Sequence, residues 1–383
     1  MPPRRPTAPG STASLRSANQ QRVLTVLRSE GDVTHTQAEL ARLTGLAPAT
    51  VSNIVRDLVA AGLVEVESGS GRRGSSIRLS LGAGLVAGVD FGHSHVAVAI
   101  GDLTGRLLGE LREPLDPSHQ YDVALAAATK MLGRLSDEHG AVQRVGLGVP
   151  APVALNRVRA AAILPGWEGV DPRQAAEDVF EVPVSVENDA NLGALAEHRQ
   201  GVAHGHDSSV FVKISSGVGA GIIIDNELFH GSGGTAGELG HLTLDEQGPL
   251  CRCGSRGCLE AYVSVGNILE MTDGHLPDAD LDTVIAAARE GNVAAYRAFE
   301  DAGLHLGWGI ASVVNLLNPE VVVVGGDMAR AGDLLLESTR IGLRRHALDT
   351  LAVTPILPSE LGERASLVGA VLLAAETVEL STD

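Results

Sequence analysis

The segment from Glu238 to Glu260 limits what this chain can fold into more than any other stretch. It holds all three cysteines of the 383-residue sequence, and a histidine precedes the first of them by ten residues. Three thiolates and one imidazole complete a tetrahedral ligand set for zinc with no open position. Glycines between the cysteines allow the sharp turns that bring such thiols together. Three ordinary buried thiols are the alternative, but so tight a cluster favours a structural zinc site. The predicted ligands are His241, Cys251, Cys253 and Cys258.

The same segment resembles a family signature. Glu-x-Gly-His followed by Cys-x-Cys-Gly-x-x-Gly-Cys-x-Glu is similar to the zinc motif of the ROK family, which comprises repressors, open reading frames and sugar kinases. The resemblance implies that the zinc stiffens a loop carrying sugar-binding side chains. It assigns Glu238, His241 and Glu260 to the sugar, with His241 using one ring nitrogen for the metal and the other for the ligand.

The chain is too long for one hydrophobic core and predicts two or three domains. Its apolar runs are too short to span a membrane and no signal peptide opens it, so we expect a cytoplasmic protein without membrane contact. Residues 1–82 hold ten arginines against six acidic residues, whereas the whole chain has a net charge of −18. A basic N-terminal part on an acidic body predicts nucleic-acid binding by the former. The chain has only two lysines, Lys130 and Lys213, and we attribute this scarcity to GC-rich coding.

We expect residues 1–13 to form a disordered tail and residues 14–82 to form a winged helix-turn-helix. Helices are expected over 17–29 and 37–43, the second with Leu40 and Leu43 facing inward. A turn at Gly45 leads to a third helix beginning at Pro48. Its polar face predicts base contacts in a major groove, with an arginine reaching phosphate. The residues of that face are Ala49, Thr50, Ser52, Asn53 and Arg56.

Two short strands follow, around a glycine-rich tip that carries Arg72 and Arg73. This pattern is similar to the winged helix of the repressor branch of the ROK family. We expect the two arginines to contact the DNA backbone or the minor groove. The partner is then operator DNA, and paired half-sites require a homodimer or a homotetramer.

The body begins with a strand and the turn Asp90-Phe-Gly92-His93-Ser94-His95. It resembles the first phosphate loop of actin-like sugar kinases, in which the ROK kinases have Asp-x-Gly-Gly-Thr-Lys. The second glycine, the threonine and the lysine are absent here, and His93 places a ring where backbone amides would approach phosphate. ATP and magnesium are therefore not expected as cofactors.

The sequence Glu187-Asn188-Asp189-Ala-Asn191 is similar to a second motif of the family. The resemblance implies that Asn188 binds the sugar and that Asp189 binds it too, Asp189 acting as a general base only if the protein is a kinase. An Asx turn and helix cap is the alternative for this stretch. The glycines from Gly217 to Gly221 resemble a second phosphate loop, although tightly packed hairpins use glycine in the same way.

The fold class expected is α/β. A winged helix-turn-helix is followed by a two-lobed, actin-like and ribonuclease-H-like fold of the sugar-kinase ATPase type, with a structural zinc site. Residues 83–195 and 360–383 would form a small lobe, residues 196–359 a large lobe with the zinc motif, and a ligand would close the hinge between them. Trp167 is either a core anchor or a lid.

The leading hypothesis is a sugar- or sugar-phosphate-responsive DNA-binding regulator, most simply a repressor of carbohydrate genes, and not an enzyme. A ROK sugar kinase with an added DNA-binding domain is the alternative. A DNA-bound scaffold that has lost its ligand is the third hypothesis, and the presence of all the sugar-facing residues argues against it.

Overall fold

The structure is a computed structural model that describes residues 12–29, 34–67, 75–154, 157–158 and 164–378. The described part of the N-terminal domain has three α-helices and a two-stranded antiparallel hairpin. Its elements are α1 (Thr12–Ser29), α2 (Gln37–Thr44), α3 (Pro48–Ala60), β1 (Val64–Glu67) and β2 (Ser76–Leu79). This is the predicted winged helix, which we call the head. The wing arginines Arg72 and Arg73 lie outside the described residues.

Local sequence explains where the head's helices begin. Thr36 and Glu39 form a reciprocal capping box at the start of α2, and Gly45 ends that helix in the left-handed conformation. Pro48 opens α3, whose preceding residue makes no side-chain cap. Leu40 is fully buried as predicted, but Leu43 is 39% exposed. The prediction that it points inward was therefore wrong.

The body contains two sheets of five strands each. The first lobe is built from β3 (Leu85–Phe91), β4 (His95–Asp102), β5 (Leu107–Pro114), α4 (Tyr121–His139), β6 (Val142–Val149), β7 (Val153–Ala154), β8 (Arg157–Val158), α5 (Pro172–Phe180) and β9 (Val184–Asn188). The second is built from α6 (Asp189–Gln200), β10 (Ser209–Ile214), β11 (Val218–Ile224), β12 (Glu227–Leu228), α7 (Glu260–Val263), α8 (Val265–Thr272), α9 (Leu281–Arg289), α10 (Val293–Leu317), β13 (Val321–Gly325), α11 (Asp333–His346) and β14 (Ile356–Pro358). A last helix, α12 (Ala365–Thr377), returns to the first lobe.

The two sheets repeat one topology. The first has the order β5-β4-β3-β6-β9 and the second has the order β12-β11-β10-β13-β14. In each, three antiparallel strands are followed by two strands parallel to the first of them. The repeated topology is not accompanied by a short sequence repeat, because two sheets can share an order of strands without sharing residue identities.

Helices α6 and α12 pack tightly between the two sheets. A Cβ atom added at Gly369 of α12 would lie 2.0 Å from the carbonyl oxygen of Leu192 in α6. One added at Gly146 of β6 would lie 1.9 Å from the carbonyl oxygen of Ala370 in α12. Only glycine fits at either position. Helix α12 therefore packs directly against α6 on one side and against the first sheet on the other.

The head shares a hydrophobic core with the first lobe. Leu24 and Leu58 of the head belong to the same buried cluster as Val86 of β3 and Val371 and Ala374 of α12. Packing of this kind resists independent movement of the parts it joins. Among the described residues, no helix is long and apolar enough to cross a bilayer.

Candidate functional site

A cavity of about 850 Å³ opens between the ends of strands from the two sheets. All five residues predicted to face a sugar line it, although they are as far apart as 72 positions in sequence. They are Asn188, Asp189, Glu238, His241 and Glu260. The fold brings them together because three segments border this cleft. They are the end of β9, the β10–β11 turn and the segment around the cysteines. We call this space the sugar cavity, after the predicted role of these five residues.

Asn188 and Asp189 lie where β9 becomes α6. The Asn188 side-chain oxygen accepts hydrogen bonds from the Ala190 and Asn191 amides at 2.9 and 3.3 Å, so this residue caps the helix. Its amide group remains directed at the Ala151 carbonyl at 3.5 Å. The capping alternative is thus correct for Asn188, and its NH₂ is the group that remains to bind a ligand.

Asp189 is held by a lysine that sequence reasoning had set aside. The ammonium of Lys213 lies 2.7 Å from the Asp189 carboxylate and 3.0 Å from the Ser366 hydroxyl at the start of α12. Burial by itself lowers the pKa of Lys213, but the carboxylates of Asp189 and Asp90 outweigh burial and raise that pKa above its ordinary value. The lysine therefore stays charged beside Asp189.

The predicted metal ligands converge. The ligand atoms of His241, Cys251, Cys253 and Cys258 all lie within 4.8 Å of one another. The sulfurs of Cys253 and Cys258 are 3.8 Å apart, and so are the Cys251 sulfur and Nδ1 of His241. Two thiolates on a tetrahedral zinc with Zn–S bonds of about 2.3 Å would be separated by about 3.8 Å. The cluster therefore offers the donor set of a zinc site, and its two thiol contacts are close to the spacing that zinc would give.

His241 is oriented for two contacts. Its Nδ1 faces the cysteines, while its Nε2 lies 3.8 Å from the carboxylate of Glu238, which also lines the sugar cavity. Burial raises the pKa of Glu238. The ring thus lies between the three cysteines and the cavity, and its use of one nitrogen for a metal and the other for a sugar stays a prediction.

Glu260 is more enclosed than sequence reasoning suggested. It is 4% exposed, and its carboxylate accepts from the amide of Val218 at 3.0 Å and pairs with Arg252 at 2.8 Å. These bonds fix the glycine-rich β10–β11 turn against the segment that holds the cysteines. Arg252 also donates to the carbonyl of Ser216 in that turn.

A second cavity of about 470 Å³ adjoins the first and is lined by the Asp90–His95 turn. His93 lines it, as expected, but the ring that covers the turn is that of His95. A Cβ atom added at Gly92 would lie 2.1 Å from the His95 ring, and the Gly92 amide donates to the His95 carbonyl at 2.9 Å. Asp90 is buried at 3% exposure and lies 3.6 Å from the same ring.

Trp167 is a core residue rather than a lid. It is fully buried, and its ring centroid lies 5.0 Å from that of Phe91 and 6.2 Å from that of Tyr121. Both contacts are within the range of aromatic packing.

The outer face of α3 presents the predicted DNA contacts. Ala49, Ser52, Asn53 and Arg56 are exposed and Thr50 is half-buried. The guanidinium of Arg56 donates to the Asn53 side chain at 2.5 Å. Val51, Ile54, Val55 and Leu58 fill the opposite side. The helix is therefore amphipathic in the sense that a recognition helix requires.

Sequence reasoning missed Lys213, Arg252 and His95. Lys213 had a usable signal, since it is one of two lysines in the chain and ends a buried strand directly before a glycine-rich turn. Arg252 lies between two of the cysteines, and this position could have marked it as a candidate site residue. No sequence signal pointed to His95, because which of two nearby histidines covers the turn depends on the path of the backbone.

These features define a class of protein: a winged-helix head on a two-lobed body of the sugar-kinase type, with a polar cleft. A profile of the ROK family matches residues 86–377 and one of the MarR family matches residues 17–74. The chain belongs to the ROK family, as the sequence motifs predicted.

Individual proteins resemble the whole chain or its body. The xylose repressor of Bacillus spizizenii is 28% identical over 363 residues, which cover 93% of this chain and 94% of the repressor. A ROK family transcriptional regulator described as a homologue of the E. coli MLC protein has a TM-score of 0.78 at 24% identity, covering 94% of this chain and 96% of its own. A ROK glucokinase from Streptomyces griseus, solved with glucose and AMPPNP, has a TM-score of 0.68 at 31% identity. That match covers 76% of this chain and 99% of the glucokinase.

Proposed function

We propose that this protein is a sugar-responsive DNA-binding transcriptional regulator that represses genes of carbohydrate metabolism. The observation that carries the proposal is that the head and the first lobe share one buried core, to which α12 belongs. The first turn of α12 also contacts the sugar cavity through Ser366 and Lys213. A ligand that alters the cleft can therefore alter how the head is held.

The DNA-binding half rests on α3 and on charge. Small polar side chains on the exposed face suit base edges, and Arg56 suits phosphate. The similarity of the whole chain to a xylose repressor supports this role. Operator half-sites would be read by a homodimer or a homotetramer, in the cytoplasm where the DNA lies.

The sugar-binding half rests on the polar groups around the cavity. Carboxylates at Asp189 and Glu238 accept hydroxyl donors, whereas the Asn188 amide and the outward nitrogen of His241 donate. The glucose bound to the Streptomyces griseus glucokinase supports a sugar as the ligand of this fold. A charge-assisted hydrogen bond of this kind contributes roughly 1.5–3 kcal/mol.

We also propose that zinc occupies the cluster of His241 and the three cysteines, and that its role is structural. A tetrahedral set of protein ligands leaves no position for substrate. Bound zinc would supply a fixed cross-link, holding His241 and Arg252 against the cavity. Chelation should disable the sugar response before DNA binding, because the head lies far from the cluster in the chain.

A sugar kinase is the alternative that the glucokinase similarity keeps open. We expect phosphoryl transfer to be slow or absent, because catalysis of that reaction depends on positioning and charge stabilisation around the phosphates. Here the first phosphate loop is covered by His95, and Asp189 is paired with Lys213. Turnover of a hexose and ATP at or above about 1 s⁻¹, the usual range for enzymes, would favour the kinase.

The test is a combined screen of the full-length protein. Sugars and sugar phosphates are first ranked by thermal shift, in which a ligand at 100 times its dissociation constant stabilises by about 2.7 kcal/mol. The hits are then added to the protein bound to an operator selected from random DNA. We expect at least one hit to change operator affinity. Stabilising ligands that leave operator affinity unchanged would contradict the proposal.

A further inference from the structure

We infer that the effector is an unphosphorylated sugar. The inference rests on the proposed function and narrows it, since it names the chemical class of ligand for the same cleft. It follows from the charges that line the cleft, from how its cations are paired, and from the hydrogen bonds that backbone amides make in the two turns bordering the cavities.

The sugar cavity is lined by more carboxylates than cations. Glu168, Asp189, Glu238 and Glu260 contribute acidic groups, and Lys213 and Arg252 contribute basic ones. A phosphate monoester brings a charge of about −1.5 to −2 at neutral pH, so this lining repels it. Sugar hydroxyls instead donate to carboxylates without adding charge.

Both cations of the sugar cavity are already engaged. Lys213 lies 2.7 Å from the Asp189 carboxylate and Arg252 lies 2.8 Å from that of Glu260. A phosphate that recruited either cation would leave a buried carboxylate without its partner. Such a loss is strongly unfavourable at low exposure, and the two acids are 7% and 4% exposed.

The second cavity offers no surplus of positive charge either. It adds the carboxylates of Asp90, Asp327 and Glu363, one further arginine, Arg112, and the imidazoles of His93 and His95. That arginine lies 3.5 Å from Glu363. A phosphate attached to a sugar in the first cavity and extending into the second would therefore meet the same excess of acids.

Three backbone amides in the two turns that border the cavities are already engaged as donors. In the first turn, the Gly92 amide donates to the His95 carbonyl and the His95 ring covers the glycine. In the second, the Ser215 amide donates to the Gly217 carbonyl at 2.9 Å and the Val218 amide donates to Glu260 at 3.0 Å. Phosphate nests require successive amides that point outward and are free to donate.

The test is calorimetry of the full-length protein with matched ligand pairs. The pairs are D-glucose and glucose 6-phosphate, N-acetylglucosamine and its 6-phosphate, and D-xylose and xylose 1-phosphate. We expect a neutral sugar to bind, with its phosphate at least about tenfold weaker. Equal or tighter binding of a phosphate would overturn the inference while leaving the proposed function intact, provided that the phosphate still changes operator affinity. If none of the six binds, the pair is taken from the hits of the thermal-shift screen, and the same comparison of neutral sugar with phosphate decides the inference.

A charge variant separates electrostatic exclusion from shape. Asp327→Asn removes one acid from the second cavity, and Asp333→Asn makes the same change on α11, where the side chain is 78% exposed. We expect Asp327→Asn to raise affinity for the phosphate of the best pair by about two- to fivefold and to leave the neutral sugar unchanged. Asp333→Asn should change neither. Unaltered phosphate affinity in Asp327→Asn would show that charge does not set the preference.

Discussion

The guanidinium of Arg28 in the head donates a 2.9 Å hydrogen bond to the main-chain carbonyl of Val378, one residue beyond the end of α12. A second, longer bond of 3.4 Å reaches the carbonyl of Glu376. A cation at this position satisfies carbonyls that a helix leaves unpaired and complements the negative end of its dipole. The other end of the same helix contacts Lys213 through Ser366. One helix of about 20 Å therefore has the sugar cavity at its start and the head at its end.

Replacing Arg28 should loosen the head without disturbing the recognition helix. Arg28→Met removes both bonds and should lower the free energy of unfolding by about 1–2 kcal/mol. Hydrogen exchange should become faster in α1 and in the last turn of α12, and sugar should affect operator affinity less than in the wild type. Arg22→Met, at an exposed position of the same helix, is the matched control. Equal behaviour of the two variants would show that the contact does not join the parts.

An ion pair between a histidine and a glutamate should make the contact between the two lobes sensitive to pH. Nε2 of His230, in the segment after β12, lies 2.7 Å from the carboxylate of Glu187 on β9, so the pair bridges the two lobes. The hydrogen bond to Glu187 raises the pKa of His230. A raised folded-state pKa stabilises the fold below the unfolded value of about 6.5, and this contribution disappears as pH rises through the folded value. The loss of unfolding free energy caused by His230→Gln should thus be larger at pH 6 than at pH 9. The same loss at both values would exclude a charged pair.

Metal content tests the cysteine cluster. The purified protein should contain about one zinc per chain by elemental analysis, and Cys253→Ser should bring that content close to zero. The variant should also lose its thermal shift with sugar while keeping operator binding. Ser232→Ala, at an exposed position outside the cluster, is the control and should retain zinc. Full zinc occupancy in Cys253→Ser would remove this cysteine from the ligand set.

Substitutions in the head should separate base reading from phosphate binding. Asn53→Ala should change the preferred operator sequence, whereas Arg56→Ala should weaken all sequences alike and reduce the salt slope by about one. Replacing Arg72 and Arg73 together by alanine should flatten that slope by up to roughly two units. An unchanged slope in the double variant would show that the wing does not touch the DNA backbone.

The cysteine cluster and the capping box could be predicted from the sequence because each is formed by residues that are close together in the chain. The three cysteines fall within eight positions, and the capping box of α2 within four, so spacing alone predicts both structures. The assembly of the sugar cavity was also predictable, through the family resemblance, although its residues come from distant parts of the chain.

The remaining contacts depend on the packing of distant segments. Arg28 and Val378 are 350 positions apart, and no periodicity indicates their contact. The pairing of Lys213 with Asp189 depends on how β10 faces the start of α6. Leu43 follows the apolar spacing of α2, yet it is exposed because the core of the head is filled by other residues.

The central claim is that a sugar in the cleft changes how the head binds DNA. The most direct measurement is the operator dissociation constant of the full-length protein with and without the sugar that binds best, for the wild type and for Glu238→Gln. We expect the sugar to change the wild-type constant by about fivefold to 150-fold, the usual range of coupling between two sites. Glu238→Gln removes a charged acceptor for the sugar at a side chain that is 40% exposed, so this variant should bind the operator normally and respond weakly or not at all. An operator constant that stays the same in the wild type while calorimetry shows the sugar bound would contradict the account.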